Sequence, residues 1–140
     1  EISVLGNEAP LISVPGEIIP GDEFYSYDDK YINGVSKLEI PAELPQELIE
    51  KIKEYAVNAY TAIDCAGLAR VDFMIDKNYN KVYLNELNTL PGFTQISMYT
   101  KLWEASGITF TQLIDHLIDY AIDRHKENSR SIHQYRRMNQ

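Results

Sequence analysis

The 140-residue chain has one cysteine, three histidines and one tryptophan, and no apolar run near the ~20 residues a membrane-spanning helix needs. A single thiol forms no intrachain disulfide, which fits a reducing cytoplasm better than secretion. Cys65 has no histidine near it in sequence, so a buried, inert thiol is favoured over a nucleophile. No signal-peptide pattern opens the chain, and no membrane association is expected. The basic excess that nucleic acid requires is missing too, since the net charge is −8. Arg124, Lys126, Arg130, Arg136 and Arg137 against Glu127 make the last stretch basic, which leaves the body through Asp123 near −12. An acidic body argues against a nucleic-acid partner.

What is present, 44% hydrophobic and 24% charged residues, is the composition of one soluble domain with its own core. The start, Glu1-Ile2-Ser3-Val4-Leu5, alternates apolar residues without an initiator methionine and reads as the interior of a longer polypeptide. Residues 2 to 5 and 11 to 19 predict two strands of a hairpin around Gly6-Asn7-Glu8-Ala9-Pro10. From Pro20 to Pro45 the chain is rich in Gly, Asp and Tyr without helical period, a length that usually carries function. Pro45 then opens a helix, with Leu48, Ile49, Ile52, Tyr55, Ala56, Ala59, Tyr60 and Ile63 at three- and four-residue steps and Gly67 as its stop.

Leu68 to Ile75 and Lys81 to Asn88 predict a second hairpin around Asp76-Lys77-Asn78-Tyr79-Asn80. After Pro91-Gly92, Ile96, Tyr99, Leu102 and Trp103 mark a short helix ending at Gly107. A final helix, capped by Thr109 or Thr111, carries Phe110, Leu113, Ile114, Leu117, Ile118, Ala121 and Ile122 as one apolar stripe, expected to be core. Residues 1–123 then form the domain, and 124–140, without apolar periodicity, a basic, solvated or disordered tail.

Side chains alternate faces along a strand, so Arg70, Asp72 and Met74 share one face. On the second strand Val82, Leu84, Glu86 and Asn88 fall together. If Ile75 pairs with Lys81, Arg70 stands opposite Glu86 and Asp72 opposite Leu84. Two carboxylates and an amide oxygen on a half-buried sheet suit a hard divalent ion such as Mg²⁺. They also suit a structural Arg70–Glu86 ion pair with Asp72 and Asn88 solvated, and the carboxylates alone do not choose between these. The next segment, Asn88 to Thr94, holds a glycine suited to close approach by a ligand and leads into a helix start whose free N–H groups suit an anion.

Gly67-Leu68-Ala69-Arg70-Val71-Asp72-Phe73-Met74 and Leu84-Asn85-Glu86-Leu87-Asn88-Thr89-Leu90-Pro91-Gly92-Phe93-Thr94 resemble the two signature blocks of D-alanine:D-alanine ligases of the ATP-grasp type. Asp28-Asp29-Lys30-Tyr31 resembles a third, and the resemblance runs from about residue 2 to residue 122. It implies the carboxyl-terminal subdomain of such an enzyme: α+β, an antiparallel sheet covered by helices on one face with Mg-ATP on the other. It further implies two D-alanines joined through an acyl phosphate, two Mg²⁺ (or Mn²⁺) ions, and a homodimer.

By the same resemblance, Asp72 and Asn88 each hold one ion and Glu86 bridges both. Arg70 and the Gly92 N–H stabilise the acyl oxygens, and Lys30 reaches the transferred phosphoryl group. Tyr31 helps close the loop Ile32 to Lys37, in which Gly34 gives flexibility. Phe24 and Met74 line the adenine pocket. Ser97 and Met98 bind the carboxylate of the second D-alanine, and Ser97-Met98-Tyr99 resembles the D-alanine type where D-lactate and D-serine ligases commonly carry Ser-Arg-Tyr. Without the family, Lys30 reads as a solvated loop lysine and Phe24 and Met74 as core. Two departures stand out. Thr100 replaces a usual proline, and the phosphate-covering loop, a central lysine and the ribose acid all belong upstream of Glu1, which aligns with none of them and is given no role.

Overall fold

The computed structural model describes residues 1–19, 37–76 and 81–138, the last eight of these by backbone alone. Strands β1 (Ile2–Gly6), β2 (Leu11–Ile12), β5 (Gly67–Asp76) and β6 (Lys81–Asn88) form one antiparallel sheet in the order β2-β1-β5-β6. A separate two-stranded ladder pairs β3, Glu17–Ile19, with β4, Lys37–Glu39. The expected first hairpin is therefore β1–β2 alone. Residues 11 to 19 are not one strand, and Val14-Pro15-Gly16 leads the chain from one sheet to the other. Gly16 sits where a side chain would force its neighbours to move, since a Cβ there would come within 2.8 Å of Leu102 Cδ2.

Helix α1, Gln46–Ala62, buries Ile52, Ala56 and Tyr60, the four-residue step of one helical face. Ala56 and Tyr60 pack on Ile2, Val4, Ala69 and Val71, which alternate onto one face of β1 and β5. The Tyr60 hydroxyl donates to Gly6 O at 2.7 Å. The turn after α1 is made by Asp64, whose φ of 52° is left-handed, and not by Gly67, which already lies in β5. Aspartate is among the few residues that enter this region at low cost.

The α+β class and antiparallel sheet are as expected, but the helices divide between the two faces. Helices α2, Met98–Ala105, and α3, Phe110–Met138, cover part of the opposite face, where Leu5, Tyr99, Trp103 and Leu113 form a second core with Leu68, Phe93 and Leu117 at its edge. Gly107, with φ +89°, turns the chain between them. Thr109 and Gln112 cap α3 reciprocally: Gln112 N donates to Thr109 Oγ1 at 3.3 Å and Thr109 N to Gln112 Oε1 at 2.9 Å, a capping box.

Two expectations for α3 change. Leu113 is buried, but Ile114, Ile118 and Ile122 are 37%, 54% and 47% exposed, so only part of the apolar stripe is core. The helix also runs on without a break to Met138, so the basic stretch is continuous helix rather than irregular tail. Arg124 anchors it, pairing with Glu8 at 3.0 Å and Asp64 at 3.2 Å. Among the described residues no helix is long and apolar enough to cross a membrane.

Candidate functional site

The face that α2 and α3 cover continues along β5 and β6 past the reach of those helices, and there it becomes charged. Pairing across β5 and β6 begins as Asp76↔Lys81, Ile75↔Val82, Met74↔Tyr83 and Phe73↔Leu84, then shifts to Asp72↔Glu86, Val71↔Leu87 and Arg70↔Asn88. The extra residue is Asn85, which makes a β-bulge. The expected register is thus overturned: Asp72 faces Glu86 directly, Arg70 faces Asn88, and Leu84 moves with Phe73 to the α1 face. The bulge gathers Arg70, Asp72, Glu86 and Asn88 on one face in two neighbouring cross-strand pairs.

Arg70 is the hub. Its Nε and Nη2 donate to the two Asp72 oxygens at 2.8 and 2.7 Å, the bidentate fork that guanidinium and carboxylate share. Nη2 lies 3.8 Å from Glu86 Oε1, and Nε lies 3.2 Å from Glu1 Oε2. The hydrogen bond to Asp72, with the Glu1 and Asp72 charges, outweighs partial burial and holds the Arg70 pKa above its usual value. Glu1, given no role from sequence, belongs to this cluster. The signal for it was the alternation Glu1, Ser3, Leu5, since Ser3 pairs with Arg70.

Asn88 Oδ1 accepts from Leu90 N at 3.0 Å, which turns the chain toward Pro91 and Gly92. Phe93 packs against Tyr99 and Phe110, with ring centroids 5.9 and 5.5 Å apart, and so pins the segment to the second core. Ser97 stands at the N-cap of α2 without a capping bond from its side chain, so the first N–H groups of the helix lack intrahelical acceptors. Met98 is turned inward, its sulfur 3.3 Å from where a Gly16 Cβ would lie, and offers the helix start only its backbone.

Next to the charged cluster lies a cavity of about 640 Å³ between the β3 strand, residues 42–45, the start of α1 and the far part of β5. Ile18, Leu48, Ile52, Phe73 and Met74 give it apolar walls, and Glu1 and Asp72 lie on its border. Met74 is 61% exposed, so it is a wall residue and not core. The structure therefore brings Arg70, Asp72, Glu86, Asn88 and Met74 to one region, with Gly92, Ser97 and Met98 on the segment leading from it. Phe24, Lys30 and Tyr31, with the loop Ile32 to Lys37, fall outside or at the margin of the described residues. Cys65 is half-buried, and burial pushes its thiol pKa up, as suits an inert group.

Among the described residues no three His, Cys, Asp or Glu side chains form a metal-holding group. The oxygen set Asp72, Glu86 and Asn88 nevertheless has the chemistry a hard divalent ion accepts: two carboxylates directly paired across the strands, with an amide further along the same face.

Comparison with known proteins identifies the family. The family model described as D-ala D-ala ligase C-terminus matches residues 1–119. A D-alanine-D-alanine ligase of Acetivibrio thermocellus is 58% identical over 128 residues, which is 91% of this chain and 34% of that protein. The chain thus spans about a third of the length of that curated relative. The D-alanine-D-alanine ligase structure from Coxiella burnetii superposes with a TM-score of 0.83 at 43% identity, over 96% of this chain and 34% of that one. The VanG D-Ala:D-Ser ligase of Enterococcus faecalis gives 0.73 at 34% identity, over 85% and 34%. With both signature blocks folded onto one ATP-grasp sheet and the family model covering most of its length, the chain belongs to the D-alanine-D-alanine ligase family, as its carboxyl-terminal portion.

Proposed function

We propose that this chain supplies the metal- and nucleotide-facing half of an ATP-dependent enzyme that joins two D-alanines for peptidoglycan precursor synthesis, and that it is a fragment inactive alone. The observation that carries this reading is the Asp72↔Glu86 pair with Arg70 beside it, on an open sheet face bordering the cavity.

In the proposed reaction a carboxylate oxygen of the first D-alanine attacks the γ-phosphorus of ATP and ADP leaves. The amine of the second D-alanine then attacks the acyl carbon, inorganic phosphate leaves with the acyl-oxygen bond, and the amine loses a proton. Negative charge grows on phosphoryl and acyl oxygens in both steps, so fixed cations and N–H donors lower the barriers. Arg70, held protonated, and the Gly92 N–H take that role. Met74, with Phe24, walls the adenine. Ser97 and the helix-start N–H of Met98 receive the second carboxylate, as an anion at a helix N-terminus favours. Lys30 and Tyr31 approach the phosphoryl group and close the loop. Asp72, Glu86 and Asn88 would hold Mg²⁺ or Mn²⁺, which would supply further charge neutralisation. Homodimers and a cytoplasmic location accompany this reading.

Two measurements on the full-length enzyme test it. Turnover of ATP with D-alanine, D-serine or D-lactate as second substrate should favour D-alanine; a preference for either of the others assigns the chain to the D-Ala:D-Ser or D-Ala:D-Lac ligases. Calorimetric titration of Mn²⁺ with ATP present should show binding about tenfold or more weaker in Glu86→Gln. Equal affinities would make the carboxylates structural and leave a non-catalytic scaffold.

A further inference from the structure

The segment between β6 and α2 closes on itself through three hydroxyls. Ser97 N donates to Thr94 O at 3.0 Å, which makes a four-residue turn with Gln95 and Ile96 at its tip. Thr100, in the first turn of α2 and only 5% exposed, donates its Oγ1 to Thr94 O and lies 2.9 Å from Ser97 O. Both ends of the turn are thereby tied to the helix. Ser97 Oγ accepts from Thr94 N at 3.1 Å and lies 2.9 Å from Thr94 Oγ1. A Cβ at Gly92 would come within 3.2 Å of that same Ser97 oxygen, so the hydroxyl stands against the Gly92 backbone.

A serine hydroxyl has one proton and two lone pairs. The backbone N–H of Thr94 fills one lone pair of Ser97. Two arrangements remain for the Thr94–Ser97 pair. If Ser97 donates, its proton is used inside the turn. If Thr94 donates, both serine lone pairs are filled and the proton is directed away from the turn. A carboxylate is an acceptor only, so its arrival beside Ser97 selects the second arrangement.

We propose that Thr94 is a positioning residue: its hydroxyl donates to Ser97 Oγ, fills the second lone pair and so fixes the serine proton in the direction of the carboxylate of the second amino acid, while Thr100 fixes the Thr94 carbonyl. This rests on the ligase reading above and assigns work to two residues that the sequence did not single out for binding. Thr100, where relatives usually have proline, becomes the latch of the turn rather than a neutral replacement.

The test is steady-state kinetics on the full-length enzyme with Thr94→Val, which keeps the branched shape, and Thr94→Ser, which keeps the hydroxyl. Thr94→Val should raise KM for the second D-alanine up to roughly tenfold, the upper size of one hydrogen bond between neutral groups, with kcat and the KM for ATP unchanged. Thr94→Ser should restore the wild-type KM. An unchanged KM in Thr94→Val overturns the proposal, and so does a Thr94→Ser enzyme as impaired as the valine variant, because shape rather than the hydroxyl would then matter. A wild-type enzyme that consumes no ATP with D-alanine overturns the ligase reading itself, and shows it before any variant is compared.

Discussion

One face of the sheet has two ends with opposite character. At Ser3, Leu5 and Leu68 it is sealed by Tyr99, Trp103 and Leu113 into a buried core. A few residues along the same strands, at Arg70, Asp72, Glu86 and Asn88, it is open, charged and bordered by a cavity. The strands supply the same extended backbone to both, so the difference lies in what packs on top. The sealed end should set stability, and the open end should set chemistry at little cost to stability.

Three substitutions or conditions bear on that contrast. The largest effect is expected from Trp103→Ala, which empties a site 2% exposed and should cost about 3–5 kcal/mol in urea unfolding of this chain. A loss of under about 1 kcal/mol would mean that α2 does not seal the face. Next come Tyr99 at the sealed end and Tyr60 in the core under α1, whose hydroxyls donate to Val4 O and Gly6 O and whose pKa values burial pushes above the ordinary one. Below about pH 10 both folded and unfolded chains keep these protons. Above it the unfolded chain releases them first, so stability should fall by up to about 1.4 kcal/mol per pH unit for each tyrosine, and a flat alkaline profile would contradict their burial. The smallest effect should come from Glu86→Gln at the open end, where the side chain is 57% exposed. Its unfolding free energy should match wild type within about 0.5 kcal/mol, and a large destabilisation would erase the distinction between the two ends.

Much of this was legible in the sequence. Alternation along β5 assigned Arg70, Asp72 and Met74 to one face correctly, and the steps Ile52, Ala56 and Tyr60 located the buried side of α1. What escaped has a physical cause in each case. The register of β6 was misjudged by one residue at the turn, where Asp76 and not Ile75 pairs with Lys81, and by one more at the bulge, which depends on pairing with a neighbour and of which Asn85 carries no local mark. The continuation of α3 past Ile122 was missed because a helix with little to bury needs no apolar period. Ile114, Ile118 and Ile122 share the helical spacing of core residues yet stay between a third and about half exposed, and spacing alone does not say how wide the covered strip is. Glu1 and Thr94 enter through contacts that strand pairing and a turn create.

The bulge at Asn85 also has a consequence for how the molecule tolerates change. One extra residue inverts the parity of β6, so its first half and second half obey opposite inside-outside rules. Were the pairing that starts at Asp76 and Lys81 continued evenly, Asn85 would stand opposite Asp72, and Glu86 would cross the sheet to lie opposite Val71 on the side of α1. An even hairpin from that start is thus one in which the acids never meet. A shortened strand lacking Asn85 would escape that choice, because even pairing then delivers Glu86 to Asp72 directly, whereas a second residue inserted beside Asn85 would strand the acid on the wrong side unless the bulge widened to absorb it.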